Sequence, residues 1–357
     1  MCGCASKKDI PNFETKNSYF SGSPINWPWR GISIVSHDTI AFNPSDIDKL
    51  ASYGVNFVRL RLSFRKLMES EKLDFNSAYI RIVNWALHII NKCEMNHIDV
   101  MISHSDFPVD PNKKFNQSDA RFWENPNEIE QVLNLVDDIV QTFDTCAAVK
   151  AYQFIAEPVS IKNGKSKQPK EWLNCFEQIR KRVRNRSEKF LVYSSGPWGK
   201  TDGYKDMEKP FNDTAIIYNF HFYEPHCYTH QKIGGYEINY SYPDTIGGTC
   251  WSREKLAEKI DIFQSWRIKH NIKYALAGEF STVRWARGKD KYLSDIIELL
   301  EERGISWAYF SYNGWKGWNY NYEYDMSGLF SSNNLIISKT ETETLRLLKS
   351  YWQTNSN

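Results

Sequence analysis

Short β-branched and aromatic runs alternate along this chain with longer stretches in which apolar residues return every three or four positions. The short runs predict strands over 31–35, 56–62, 98–103, 148–155, 189–194, 214–222, 274–279 and 305–312. The longer stretches predict amphipathic helices over 76–96, 127–143, 170–186, 253–269, 290–302 and 342–351. Asn43-Pro44-Ser45 and Asn125-Pro126-Asn127 carry the chemistry of helix starts, a capping amide and a proline whose missing N–H has no partner to lose there. Gly54 and Gly304 stand where a helix has to stop before the next strand. Only the segment 194–214 is weakly helical, so that unit is expected to be the least regular.

Strict alternation of strand and helix implies a parallel sheet, and eight strands is the number that closes a cylinder, so the expected fold is a single (β/α)8 TIM barrel. A chain of 357 residues suits one such barrel with long loops. No internal repeat, low-complexity tract or flexible linker divides it, so 26–354 reads as one barrel domain preceded by an extension over 1–25. Ile98, Val100, Ile102 and His104 share one face of the third strand, and Gln153, Ile155 and Glu157 share one face of the fourth. Both are expected to be inward stripes ending in a polar group at the C-terminal mouth, where barrel enzymes do their chemistry.

Composition narrows the function. Lys plus Arg total 45 against 43 Asp plus Glu, a balance that argues against a nucleic-acid partner. The Arg-rich stretch 180–186 lies on a helix with interleaved apolar residues and reads as a solvated outer face. Aromatic residues make up 15% of the chain, with 13 Trp, more flat rings than a core of this size needs and well suited to stacking on sugar faces. Seven Cys, an odd count without metal-ligand spacing, imply no zinc site; Cys227 and Cys250 bracket one loop and are candidates to pair in an oxidising compartment. No run of 18 apolar residues exists to span a membrane. Gly3-Cys4 matches the cleavage point of a lipoprotein signal, which would make Cys4 a lipid anchor; the other reading is an arbitrary polar terminus.

Two carboxylates stand out, Glu157 after Tyr152-Gln153-Phe154-Ile155-Ala156 and Glu279 after Ala275-Leu276-Ala277-Gly278. Each ends a run too apolar to tolerate a charge without a purpose or a partner. They belong to the fourth and seventh strands, whose ends a barrel mouth brings together. A carboxyl pair facing one pocket is the equipment for glycosidic hydrolysis, one proton donor and one nucleophile or base. The bland alternative is a pair of ion-paired glutamates at strand ends. Gly164-Lys165-Ser166 looks like the end of a phosphate-binding loop, but Val159 stands where its first glycine belongs.

From Arg30 to the last helix the chain resembles glycoside hydrolase family 5, the retaining cellulases and mannanases. Gly54-Val55-Asn56-Phe57-Val58-Arg59-Leu60 resembles the second-strand motif, with Arg59 in the place of its arginine, although Arg61 has the same strand parity. Val100-Met101-Ile102-Ser103-His104 resembles the third strand, and Ala156-Glu157-Pro158 the Asn-Glu-Pro signature. His221-Phe222-Tyr223-Glu224-Pro225 with Tyr228-Thr229-His230-Gln231 resembles the sixth-strand motif and its loop, and Gly278-Glu279-Phe280 the nucleophile motif. The resemblance implies an endo-acting β-1,4-glucanase that needs no metal or cofactor because two carboxylates suffice, in a secreted, periplasmic or lipid-anchored monomer. It implies Glu157 as acid/base, Glu279 as nucleophile held ionised by Arg59 and Tyr223, and Arg59, His104, His221 and Tyr223 as substrate-binding residues. Without that context the favoured reading of His104 and His221 is that of hydrogen-bonded core histidines.

Two positions depart from the pattern: Ala156 replaces the asparagine before the acid/base, and Phe310 aligns where the eighth strand carries a tryptophan. Trp315 or Trp318 is expected to supply that stacking plane, and Trp198, after the fifth strand, is the other expected sugar platform; Trp27, Trp29, Trp123 and Trp251 are weaker candidates. The loops 106–122, 161–169 and 227–252 read as long and irregular.

Overall fold

The computed structural model describes residues 25–36, 43–233, 239–312, 314–324 and 335–356. Cys4 and all but the last residue of the expected extension lie outside the described residues. Eight strands form a closed parallel barrel: β1 (Arg30–Val35), β2 (Phe57–Leu62), β3 (Asp99–His104), β4 (Val149–Phe154), β5 (Phe190–Ser194), β6 (Ile216–Phe222), β7 (Ala275–Phe280) and β8 (Ser306–Tyr309). β8 closes on β1 with Arg30 opposite Trp307. The expected (β/α)8 fold is the fold found.

The helices around the barrel among the described residues are α1 (Asp46–Ser52), α2 (Phe75–Met95), α3 (Pro126–Phe143), α4 (Trp172–Arg184), α5 (Arg253–Lys269), α6 (Lys289–Glu302) and α7 (Glu343–Trp352), with further short helical segments at Phe64–Glu71, Ala120–Trp123 and His226–Thr229. Local chemistry fixes their ends. The Asn125 side chain accepts from Asn127 N with Pro126 in the first turn of α3, and Thr342 Oγ1 accepts from Leu345 N at the start of α7. Gly54 follows α1 with φ +91°, where an added Cβ would lie 2.5 Å from the carbonyl oxygen of Trp352. Between β5 and β6 only the 3-10 turn Thr201–Tyr204 forms, as the weak helical pattern there predicts.

The core has two layers. Phe57, Met101, Ala151, Val192, Ile217, Leu276 and Ala308 fill the barrel interior, one from each of seven strands. Trp29 closes the N-terminal end, stacked on Phe57 at 4.1 Å and 3°, with Nε1 donating to the buried Asp99 carboxylate at 2.8 Å. The second layer lies between strands and helices and holds the outward residues of every strand. Burial of each large side chain in these layers contributes about 1.5–3 kcal/mol.

That arrangement corrects the expected inward stripe of the third strand. Met101 packs inside, whereas Val100 and Ile102 belong to the outer layer, so it is Met101 and Ser103 that face inward. A barrel strand is apolar on both faces, so alternation of hydrophobicity cannot tell inside from outside. On β4 the inward assignment of Gln153 is right, but Ile155 takes φ +59° and joins the outer layer as the chain leaves the strand. Strand β8 stops at Tyr309, three residues short of the expected end.

Two of the expected irregular loops contain hairpins. Ser160–Lys162 pairs with Lys165–Lys167 across Asn163-Gly164, and Asp244–Ile246 pairs with Thr249–Trp251 across Gly247-Gly248. All four turn residues have positive φ, the type I′ geometry that suits a two-residue hairpin. Cys227 and Cys250 are free thiols in this arrangement. The arginines of α4 are ion-paired, Arg180 with Glu177, Arg182 with Glu130 and Asp137, and Arg184 with Asp213.

Candidate active site

Glu279 reaches the barrel mouth because β7 breaks step. Strict alternation from the inward Leu276 would point Gly278 inward and Glu279 out. The register of β7 against β6 instead shifts between Ala277 and Glu279, a bulge that turns the carboxylate inward and Phe280 outward. Gly278 makes this possible: its N–H donates to Asn219 Oδ1 at 2.8 Å, and an added Cβ would sit 2.3 Å from that oxygen.

The inward Arg59 of β2 is wholly buried and holds Glu279, with Nη1 2.5 Å from Oε1. Its Nε donates to Gln153 Oε1 at 2.9 Å and its Nη2 to Ser103 Oγ at 3.2 Å. Ser103 donates on to Gln153, and Ser194 Oγ accepts from both Gln153 Nε2 and Asn219 Nδ2. A continuous polar layer therefore crosses β2 to β7 immediately below the mouth. Sequence reasoning missed Ser103, Ser194 and Asn219; the legible signal is one inward polar residue near the C-terminal end of each successive strand.

Glu279 has two further partners on its other oxygen. Tyr223 OH donates to Oε2 at 3.3 Å, and His221 Nδ1 lies 3.8 Å from it. Burial opposes the charged form of Glu279, but His221, Arg59 and Arg61, with the Arg59 hydrogen bond, outweigh it and hold the carboxyl well below its ordinary range. Burial first, and then the charges of Glu279 and Glu157, push the Tyr223 hydroxyl well above its ordinary value, so it remains a donor.

Glu157 follows β4 and is the more open carboxylate, its side chain 34% exposed against 9% for Glu279. Its Oε1 lies 2.8 Å from His221 Nδ1. Single donor atoms of Glu157, His221 and Glu279 lie within 4.8 Å of one another. This is the one such group among the described residues that could ligate a cation, but Arg59 already occupies Glu279 and Arg61 adds a second positive charge, a poor field for a metal ion.

The other expected residues fall in several places. Arg61 also faces the mouth, within electrostatic reach of both glutamates, and pairs with Asp106 at 3.1 Å. His104 is not brought to the carboxylates. It is fully buried against Phe64 and Phe107, with Nδ1 2.9 Å from Leu62 O, and burial lowers it to about 4, so it is a neutral ring behind the Arg61–Asp106 pair. Trp198 is half-buried with φ +62°, in the turn that follows β5. Gly199 O accepts from His221 N at 2.8 Å, and a Cβ at Gly199 would lie 3.2 Å from Ala156 O, so this turn is wedged beside both Glu157 and His221. Ala156 itself is buried, its N–H bonded to Ser105 Oγ.

On the opposite rim Trp318 lies 6.0 Å from the Tyr223 ring, 5.1 Å from His230 and 5.8 Å from Phe310. Trp315 is farther out, 38% exposed and edge-on to Trp318 and Trp285. Of the two tryptophans expected there, Trp318 is the one packed against the Glu279 partner. Trp29, Trp123 and Trp251 are buried and offer no face to a ligand, and Trp27 packs on Trp29 and Tyr274 at the far end of the barrel.

A closed parallel barrel with two carboxylates converging at its C-terminal mouth, one ionised beside an arginine and the other open to the cleft, defines a glycoside hydrolase. The cellulase model of glycosyl hydrolase family 5 matches residues 19–316, and the chain belongs to that family. It is 23% identical over 300 residues to endoglucanase C of Acetivibrio thermocellus, covering 75% of this chain and 82% of that protein. Cel5A of Thermotoga maritima in complex with mannotriose superposes with a TM-score of 0.67 at 19% identity, over 90% of this chain and 97% of its own. The cellulose synthase subunit Z of Clostridioides difficile superposes at 0.63 with 18% identity, over 90% and 99%. Among the described residues no helix is long and apolar enough to cross a membrane.

Proposed function

We propose that this glycoside hydrolase is a retaining endo-β-glycosidase that cuts a β-1,4-linked glucan, with Glu279 as nucleophile and Glu157 as acid/base. The observation that carries the reading is the placement of the two carboxylates, one oxygen of each within 4.8 Å of the other, an approach that suits a retaining pair rather than the wider gap an inverting water needs. Glu279 attacks the anomeric carbon while Glu157 gives its proton to the departing oxygen. A carbon–oxygen bond to Glu279 forms as the glycosidic bond breaks. Glu157 then takes a proton from water, which displaces Glu279 and releases a sugar of unchanged anomeric configuration. Arg59 and Tyr223 keep Glu279 charged and aimed, Trp198 and Trp318 supply stacking faces on the two rims, and Arg61 and His221 border the reacting sugar.

Relatives described as endoglucanases support the β-glucan assignment. A polymer of that size is met outside the cytoplasm, so the reading places the enzyme at or beyond the cell surface, as a monomer needing no second chain to complete the site. A β-mannan is the second reading: Ala156 removes a side-chain amide beside the sugar, and a solved relative is described with mannotriose as well as cellobiose. Product analysis on β-1,4-glucan, mannan, xylan and mixed-linkage glucan, with the anomeric form of the first product followed by proton NMR, tests both. Inverted product would overturn the mechanism; silence on every substrate would leave a sugar-binding barrel.

A further inference from the structure

The hairpin Ser160–Lys167 carries a charge pattern that its own fold does not explain. Register places Ser160 opposite Lys167, Ile161 opposite Ser166 and Lys162 opposite Lys165. Since side chains alternate between faces, Lys162, Lys165 and Lys167 all stand on one face, with Ile161 and Ser166 on the other. Lys162 and Lys165 are directly opposed, a like-charge cross-strand pair that costs stability. All three are exposed and make no ion pair among the described residues, and Lys170, just beyond, is exposed and unpaired as well. The contrast within the same molecule is α4, where Arg180, Arg182 and Arg184 each have a carboxylate.

The hairpin is also fixed in place beside the cleft. It begins three residues after Glu157. Ile161 N donates to Ser118 O at 2.7 Å on one side, and Gln168 Oε1 accepts from Gly196 N at 2.8 Å on the other, two residues before Trp198. The hairpin therefore borders the cleft between the acid/base Glu157 and the turn that carries Trp198. Three amines on one face of an anchored hairpin, with no ion pair among the described residues, fit a ligand that carries repeated negative charge.

We propose that this lysine face binds acidic substituents on the substrate chain, so that the enzyme favours a β-glycan bearing carboxylate groups over the neutral polymer. The inference rests on the glycosidase reading above and deepens it.

The test compares the full chain with a triple variant, Lys162→Gln, Lys165→Gln and Lys167→Gln, on carboxymethylated β-1,4-glucan and on neutral cello-oligosaccharides. For the native chain, kcat/KM on the acidic polymer is expected to fall roughly tenfold as salt is raised from low to above physiological strength, while the neutral substrate shows no such dependence. The triple variant is expected to lose several-fold on the acidic polymer at low salt, to flatten the salt dependence, and to keep its rate on the neutral one. Affinity electrophoresis through gels containing the same acidic glycan reads binding without turnover. An unchanged salt slope with unchanged retention in the variant overturns the proposal, as does loss of binding to anionic lipid vesicles with glycan retention intact. Failure of the glycosidase reading is distinct, since it removes cleavage of the neutral substrate in both proteins.

Discussion

Arg59 and Glu279 meet at 2.5 Å inside the barrel mouth, a guanidinium with no exposed surface against a carboxylate with almost none. Two charges so placed depend on each other, because removing one leaves the other buried and uncompensated. Glu279→Gln is therefore expected to do more than stop turnover by roughly a thousandfold or more. The folded carboxyl is held below its unfolded value, so its contribution to stability is complete above the unfolded value near pH 4 and disappears as pH falls through the folded one. Thermal melts from pH 7 down to pH 2 are expected to show a shallower acid decline for Glu279→Gln than for the native chain. Parallel declines would remove Glu279 as the group responsible.

Gly278→Ala tests the bulge. The new methyl would collide with Asn219 Oδ1 at 2.3 Å, so either the amide rotates away or the strand slips toward regular alternation. Overpacking of this kind costs about 1–3 kcal/mol. We expect activity to fall far more than melting temperature, because misaiming the carboxylate by about 1 Å is worth roughly a hundredfold in rate. Pairing the change with Asn219→Ala is expected to recover stability but not activity, and recovery of both would show that the bulge does not aim Glu279.

Trp198 stands at φ +62°, a conformation rare for a bulky residue. Comparing Trp198→Gly with Trp198→Ala separates backbone from ring. Both are expected to raise KM on longer oligosaccharides through the loss of a stacking face, whereas Trp198→Gly should melt higher than Trp198→Ala by about 1 kcal/mol, the reverse of the usual order. An alanine variant as stable as the glycine variant would mean the turn relaxes out of the left-handed region.

Trp318 and Trp315 differ in reach. Trp318 touches Tyr223, His230 and Phe310, while Trp315 meets Trp318 edge-on from outside. Trp318→Ala is expected to lower kcat/KM by about tenfold or more through the Tyr223 neighbourhood, and Trp315→Ala by no more than a few-fold, chiefly in KM on long substrates. Equal effects in steady-state kinetics would place the two rings in one subsite.

The barrel was legible in the sequence because each helix and strand announces itself locally. Asn125 and Pro126 open α3, Gly54 ends the unit that leads into β2, and the missing helix after β5 is already weak in its residues. Facing was harder to read. Val100 and Ile102 are as apolar as Met101, and only the packing against helices decides which of them lies outside. Glu279 is a sharper case, since its inward aim depends on a register shift that no periodicity reveals. The two hairpins did have a signal in Asn163-Gly164 and Gly247-Gly248, but their flanking strands are three residues long, too short to stand out beside the loops that carry them.

The polar layer of Arg59, Ser103, Gln153, Ser194 and Asn219 divides the cylinder into an oily lower half and a wired upper half. The dipoles of these five side chains are already committed to one another before any sugar arrives, so little reorientation remains to be done beneath the site when charge moves between the anomeric carbon and Glu279. The floor beneath the reaction is in this sense a frozen solvent, and its stiffness comes from five strands sharing one network rather than from any single bond.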